Sequence, residues 1–342
     1  MSFKFLNPLP TPEEIKKEYP LSTELIALKA QRDQMINDII TGKDNRFFLI
    51  IGPCSADNED SVCDYVSRLT KIQDDVKEKI VIVPRIYTNK PRTNGTGYKG
   101  IASQPNPEKA PDMIEGTIAV RKMHIRAIAE SGLTCADEML YPDNWGYVED
   151  LLSYVAIGAR SVEDQEHRLT VSGFDVAAGM KNPTSGDFGV MLNSVYAAQQ
   201  SHHFVHRGYE VETSGNPYAH VILRGAVSKH GNTIANYHYE DLMRLHEMYE
   251  KMDVVNPAAI IDTNHSNSGK KYKEQIRIAK EVLHSRQNSA DLYKLVKGFM
   301  IESYIEEGAQ SIGDGIYGKS ITDPCLGWED TKRLIYDIAE GC

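Results

Sequence analysis

The sequence predicts an α/β fold of the (β/α)8 TIM-barrel class, with an N-terminal helical extension and an inserted β-hairpin. Three observations predict it. The chain has 342 residues, long for one ordinary domain but within reach of a barrel with extensions. Eight short apolar runs rich in β-branched residues recur along it. Amphipathic helical patterns lie between the runs, and such unbroken apolar strands imply a parallel sheet covered on both faces. A doubly wound open sheet is the alternative reading of the same rhythm.

Residues 1–45 read as an appendage to a catalytic barrel spanning 46–342. Within the appendage, STELIALKAQRDQMINDIITG is a helix pattern, with Leu25, Leu28, Met35 and Ile39 roughly on one face. The strand runs follow in order as RFFLIIGPCS, KIVIVPRIY, LTCADEM, SYVAIGAR, VAAGMKN, HVILRG, NPAAIIDTNHS and GFMIESYI. Helix patterns such as Val62, Val66, Leu69 and Tyr272, Ile276, Ala279, Leu283 separate them. The segment HHFVHRGYEVETSGNPYAH, before the sixth run, is too alternating and polar for a core helix and reads as the hairpin.

Composition narrows the function. Hydrophobic residues at 41% and charged residues at 25% allow a full core. A net charge of −10 argues against a nucleic-acid partner, which calls for a basic surface. Five cysteines without close pairing fit reduced cytosolic thiols. No apolar signal core and no membrane-length run is present, so a cytoplasmic protein with no membrane partner is expected.

Barrel active sites form at the carboxyl ends of the strands. Here the runs end in Cys54, Arg85, Glu138, Arg160, Lys181, Arg224, His265 and Glu302. Singly, each has a bland reading: a buried thiol as a small hydrophobe, an arginine snorkelling to solvent. Together they would converge on one rim. Arg85, Arg160, Lys181 and Arg224, with Lys90 from the loop YTNKPRTNGTGYKG, form a cationic set suited to a multiply charged anion. Cys54, His265 and Glu302, with Asp323 from SITDPC, offer thiolate, imidazole and carboxylates to a divalent metal, leaving Mn, Fe, Co and Zn open. GDGIYGKS, residues 313–320, matches a P-loop literally. It lacks a preceding strand, and Pro324 obstructs a following helix, so nucleotide binding is rejected while Lys319 is expected near the site.

These residues resemble the class I (type Iα) 3-deoxy-D-arabino-heptulosonate 7-phosphate synthases over nearly the whole chain from residue 47. IGPCS, NKPRT, GAR, SHHF, HVILRG and YGKSITDPCLGWEDT carry the resemblance, the last departing from the commonest family form at Pro324 and Leu326. The resemblance implies condensation of phosphoenolpyruvate with erythrose 4-phosphate by a homodimer or homotetramer. It implies metal ligands Cys54, His265, Glu302 and Asp323, and a phosphoenolpyruvate pocket of Arg85, Lys90, Arg160, Lys181 and Arg224. The run Lys90-Pro91-Arg92-Thr93 is implied in substrate binding, with Arg92 and Thr93 on the sugar phosphate. Lys90, Glu138, Lys181 and His265 are the implied catalytic residues. Two rivals stay open: a 3-deoxy-octulosonate 8-phosphate synthase using arabinose 5-phosphate, and a non-catalytic phosphometabolite sensor. The family's aromatic amino-acid effector pocket is expected to be altered, because SGFDVAAGMKN puts Asp175 where the family usually has Ser.

Overall fold

The structure is a computed structural model and describes residues 2–92 and 94–342. Eight parallel strands form the barrel: β1 Phe47–Gly52, β2 Ile80–Pro84, β3 Cys135–Glu138, β4 Leu152–Ile157, β5 Ala177–Lys181, β6 Ala219–Leu223, β7 Ala259–Asp262 and β8 Val296–Glu302. Each overlaps one of the eight apolar runs, although β4, β6 and β8 begin one or two residues before theirs. Their spatial order is 2-1-8-7-6-5-4-3, joined by ladders such as Leu49 beside Phe299 and Val155 beside Ala178. Between β2 and β3 the circle closes through one bridge, Arg85 with Ala136, where Ile86 N donates to Ala136 O at 2.9 Å.

The strand pleat sorts side chains into two cores. Phe48, Ile50, Val81, Val83, Ala136, Tyr154, Ala156, Ile222, Ile260 and Met300 fill the barrel interior. Phe47, Leu49, Ile51, Ile80, Ile82, Val155, Met180, Val221, Ile261 and Phe299 face the outer helices. Helix α1 spans Pro12–Glu18 and α2 spans Thr23–Thr41. Ser22 Oγ caps the start of α2, and Gly42, with φ +78°, ends it. Ile36, Ile39 and Ile40 of α2 join the interior core, and Asn37 Nδ2 donates to Asp175 O just before β5 at 3.3 Å. The helix therefore stoppers the amino-terminal end of the barrel. The expected face, Leu25, Leu28, Met35 and Ile39, is the one that packs inward; Ile39 is fully buried, while Leu25, Leu28 and Met35 are partly buried, because burial is deepest in the C-terminal turns.

The outer helices are α3 Glu59–Val76, α4 Met113–Ser131, α5 Gln165–Val171, α6 Phe188–Gln199, α7 Tyr239–Tyr249, α8 Glu274–Gln287, α9 Ala290–Leu295 and α10 Trp328–Gly341. Asn58, Asp112, Asp164 and Asp187 cap helices directly after rim loops, accepting from the free N–H groups of the first turn. The eightfold strand–helix rhythm breaks once. After β3 stands only a 3-10 turn, Pro142–Tyr147, where Pro142 starts a tight coil in a segment too short for an α-helix. The expected hairpin is present as His203–His206 against Tyr209–Glu212, turned by Arg207 and Gly208 at positive φ. A second, short hairpin, Ala226–Val227 with Thr233–Ile234, follows β6 and was not read from the sequence. Among the described residues, no helix is long and apolar enough to cross a membrane.

Candidate active site

Each strand stays apolar inside the wall and turns polar as it leaves. The ends enclose a cavity of about 620 Å³. Cys54, Arg85, Lys90, Pro91, Arg92, Glu138, Arg160, Lys181, Arg224, His265 and Asp323 all line it. Glu302 lies just beneath, 1% exposed and 3.0 Å from the Arg85 guanidinium. Thr93 lies outside the described residues. The long-range spacing of the expected site thus resolves into one rim.

The cavity is cationic despite the acidic chain. Arg85, Lys90, Arg92, Arg160, Lys181, Arg224 and Lys270 line it, against Glu138 and Asp323 among the carboxylates. Arg85 donates to Pro53 O and lies over the Tyr87 ring at 3.7 Å. Lys181 Nζ donates to Glu138 Oε2 at 3.2 Å. Burial works to raise the Glu138 pKa, but Lys181 and Arg85 outweigh it and hold the carboxyl below its ordinary value. Gly158 makes room for this carboxylate: a Cβ there would come within 2.7 Å of Glu138 Oε1. Arg224 Nη1 is buried without a hydrogen-bond partner, and burial lowers the guanidinium's pKa. Such an orphaned donor at a cavity wall is suited to an anion.

At the other side of the cavity, ligand atoms of Cys54, Glu302 and Asp323 all lie within 4.8 Å of one another. Cys54 Sγ is 3.5 Å from Asp323 Oδ2, and Lys90 Nζ reaches both, at 2.6 Å and 3.2 Å. Burial and Glu302 raise the Cys54 thiol pKa. Burial alone would lower the Lys90 pKa, yet Cys54, Asp323 and Glu302 lift it above the ordinary lysine value. Burial would raise Asp323, but Lys90 and Lys270 hold its carboxyl well below the usual range.

His265 stands outside that compact trio, a difference from the expected four-ligand group. Its Nε2 is 3.7 Å from Glu302 Oε1, and its Nδ1 is 2.7 Å from Asp262 Oδ2. A carboxylate on one ring nitrogen leaves the other as the ligand atom, the arrangement metal-binding histidines usually have. His265 also sits at φ +47°, a left-handed backbone that a β-carbon disfavours and that functional loops retain. Asn264 Nδ2 donates to Glu302 Oε2 at 2.6 Å and fixes that carboxylate. The donor set and its orienting partners fit a divalent metal ion.

Four contributors escaped the sequence reading: Asp262, Asn264, Tyr87 and Lys270. Asp262 had a signal, an acidic residue ending an apolar run three positions before His265. Lys319 is corrected. It lines a separate cavity with Asp57 and Gln310, because the loop of Gly313, Gly315 and Gly318 at positive φ folds away from the rim. The Asp175 expectation also changes. A cavity of about 330 Å³ lies between Trp145, Phe174, Phe204 and Val211, and Asp175 does not line it. Its side chain is exposed while its carbonyl meets α2.

Known proteins resemble this chain over most of its length. The model of the DAHP synthetase I family matches residues 19–335. The phospho-2-dehydro-3-deoxyheptonate aldolase of Haemophilus influenzae is 34% identical over 96% of this chain and 90% of its own length. The Tyr-sensitive enzyme of that name from Salmonella typhimurium is 35% identical, covering 96% of this chain and 92% of its own. The structure of phospho-2-dehydro-3-deoxyheptonate aldolase from Francisella tularensis superposes with a TM-score of 0.92 at 30% identity, covering 99% and 98% of the two chains. A rim of eight polar strand ends, a cationic cavity beside a cysteine–carboxylate group, and a family match over most of the chain meet in one conclusion: this chain belongs to the DAHP synthetase I family.

Proposed function

We infer that the chain condenses phosphoenolpyruvate with D-erythrose 4-phosphate and water. The products are 3-deoxy-D-arabino-heptulosonate 7-phosphate and phosphate, and the reaction is the first step of the shikimate pathway to the aromatic amino acids. The observation that carries this reading is the cation-lined cavity directly against Cys54, Glu302 and Asp323. Arg85, Arg160, Lys181 and Arg224 hold the carboxylate and phosphate of phosphoenolpyruvate. Within the substrate-binding run Lys90-Pro91-Arg92-Thr93, Arg92 and Thr93 take the sugar phosphate while Lys90 faces the reacting centre, and Arg92 is steadied by donating from Nε to Tyr98 O at 2.8 Å. Two anions held together lose their encounter entropy before the reaction begins.

The chemistry then follows the charges. C3 of phosphoenolpyruvate attacks the aldehyde carbon and forms the new C–C bond. The aldehyde oxygen gains negative charge and takes a proton, for which Lys90, kept protonated by its acidic neighbours, is the donor. Cys54, His265, Glu302 and Asp323 would hold a divalent ion (Mn, Fe, Co or Zn), which when bound would supply Lewis-acid polarisation. C2 becomes electron-poor and water adds there. Glu138, kept ionised by Lys181, accepts the water's proton. The phosphohemiketal then breaks its C2–O bond to phosphate; the C2 hydroxyl becomes the ketone and its proton leaves with the phosphate. The same reading takes residues 46–342 as the catalytic barrel, residues 1–45 as an extension, and the protein as a cytoplasmic homodimer or homotetramer.

The test is phosphate release from phosphoenolpyruvate with either sugar. Release with erythrose 4-phosphate and none with arabinose 5-phosphate is expected. Release only with arabinose 5-phosphate would make it an octulosonate-type enzyme, and binding without release would make it a sensor.

A further inference from the structure

Behind the rim lie three asparagines that the reaction itself does not use. Asn182, Asn236 and Asn267 are 0%, 5% and 5% exposed. They come from three places: the residue after β5, the segment between the second hairpin and α7, and the loop after β7. The three residues are linked in a chain, Asn182 to Asn236 to Asn267, and the side chains of two of them, Asn182 and Asn236, hold the dipeptide Arg224–Gly225.

Asn182 Oδ1 accepts from Arg224 N at 2.9 Å and from Asn236 Nδ2 at 3.0 Å. Asn182 Nδ2 donates to Gly225 O at 2.9 Å and Pro183 O at 2.8 Å. Asn236 Oδ1 accepts from Gly225 N at 2.8 Å. Asn267 Oδ1 accepts from Asn236 N at 2.9 Å, and its Nδ2 donates to Leu223 O at 3.1 Å and Asp262 O at 2.8 Å. Arg224 O in turn accepts from Ser266 N at 3.1 Å. All four backbone polar groups of Arg224–Gly225 are therefore engaged, three of them by asparagine side chains. The grip has no slack. Gly225 has φ +74°, and a Cβ on it would lie 2.6 Å from Asn267 N.

Secondary structure normally satisfies backbone groups with other backbone groups; side-chain amides do it here because β6 has ended. What they immobilise is unusual. The Arg224 guanidinium keeps Nη1 buried and unpartnered at the cavity wall. An unpaired donor stays in such a position only if the surrounding structure over-determines it. The same amide of Asn267 grips Asp262 O, and Asp262 Oδ2 lies 2.7 Å from His265 Nδ1.

We propose that Asn182, Asn236 and Asn267 form a positioning cage that fixes Arg224, and through Asp262 the turn bearing His265, for an anionic ligand. The cage rests on the reading of that ligand as phosphoenolpyruvate. Asn182 is its central member, since it alone holds both sides of the Arg224–Gly225 dipeptide. It acts through Arg224 and is a positioning residue, not a catalytic one.

The experiment is calorimetric titration of phosphoenolpyruvate into the full chain as unmodified protein, Asn182→Ala, Arg224→Ala and the double variant, with steady-state kinetics alongside. Asn182→Ala should weaken phosphoenolpyruvate by about tenfold or more, the scale of losses from a misplaced binding group. KM for erythrose 4-phosphate should move far less. On the Arg224→Ala background the Asn182 change should cost no further affinity, because the group it positions is gone. A merely structural staple would lower the thermal midpoint without this split or this non-additivity. Asn236→Ala leaves the Asn182–Arg224 bond in place and should weaken phosphoenolpyruvate in the same sense; it decides the matter if Asn182→Ala does not fold. Unchanged affinity in the folded variants, or fully additive losses in the double variant, overturns the cage. Failure of the unmodified chain to bind phosphoenolpyruvate overturns the functional reading and the cage with it.

Discussion

Replacing Arg224 with Ala should move ligand affinity and stability in opposite directions. The guanidinium is mostly buried, has no partner on Nη1, and carries a pKa lowered by that burial. An anion supplies the missing acceptor. A charge-assisted hydrogen bond contributes about 1.5–3 kcal/mol, so its loss should weaken phosphoenolpyruvate roughly 10- to 150-fold. Without ligand the same group is a liability, since a buried unsatisfied donor costs about 1–3 kcal/mol. Removing it offsets the packing lost with the aliphatic stem, so the ligand-free thermal midpoint should hold or rise. Arg160 is exposed and already solvated, so Arg160→Ala should cost less than tenfold, as screened surface charges do. Calorimetric binding and ligand-free thermal unfolding, measured on both variants, read the two effects separately. Unchanged affinity in Arg224→Ala would refute the reasoning, as would a marked fall in its ligand-free midpoint or an Arg160→Ala loss as large.

Chelation should abolish turnover and a divalent ion should restore it, while Cys54→Ala should remove most activity in a folded protein; full activity of metal-free protein would refute this. Asp262→Asn should weaken the metal by about 10- to 100-fold, the usual cost of losing a partner that orients a ligand histidine, as read by titrating cobalt and following its thiolate absorption. His220 is predicted to make the fold acid-sensitive. It is fully buried, bonded to Tyr154 OH at 2.9 Å and Tyr218 O at 2.8 Å, and burial lowers its pKa from 6.5 to about 4. Between those values the unfolded chain binds a proton that the folded chain does not, so stability falls as pH drops from 6.5 towards 4, by about 3 kcal/mol in all. Urea unfolding of His220→Gln should show a flatter acid limb, and an unchanged limb would count against it.

The strand ends were legible because a barrel strand has one polar transition, and each run displays it: FFLIIGPC, IVIVPR, HVILR. Asp323, in a loop after β8, is no strand end; the SITDPC motif and its family resemblance put it beside Cys54, and the two lie 3.5 Å apart although 269 positions separate them. Orienting groups were less legible. Asp262 reads like any acidic residue closing a strand, and only the 2.7 Å approach to His265 Nδ1 marks it. Asn182, Asn236 and Asn267 read as turn-formers, since sequence shows where an amide is and not which peptide it holds. The face of α2 was legible from its periodicity, which does not reveal that burial deepens towards the C-terminal end of the helix. The missing helix after β3 had a clue in YPDNWGY, a proline and a glycine within one turn.

The junction between β2 and β3 has a further consequence. Seven junctions carry ladders of three to five paired residues, while this one carries a single bridge. Side chains reinforce it: Asp137 accepts from Thr88 N at 2.9 Å and also from the Thr88 hydroxyl. Thermal breathing of the wall should therefore concentrate there, and amides flanking it should exchange with solvent sooner than those of β7 and β8. The bridge residue is Arg85 itself, and Thr88 begins the loop that presents Lys90. The barrel's most weakly laced seam and the mouth of its anion cavity are the same stretch of backbone. Occupying the cavity would then act as a clasp on the cylinder, slowing exchange across the seam without touching the far wall.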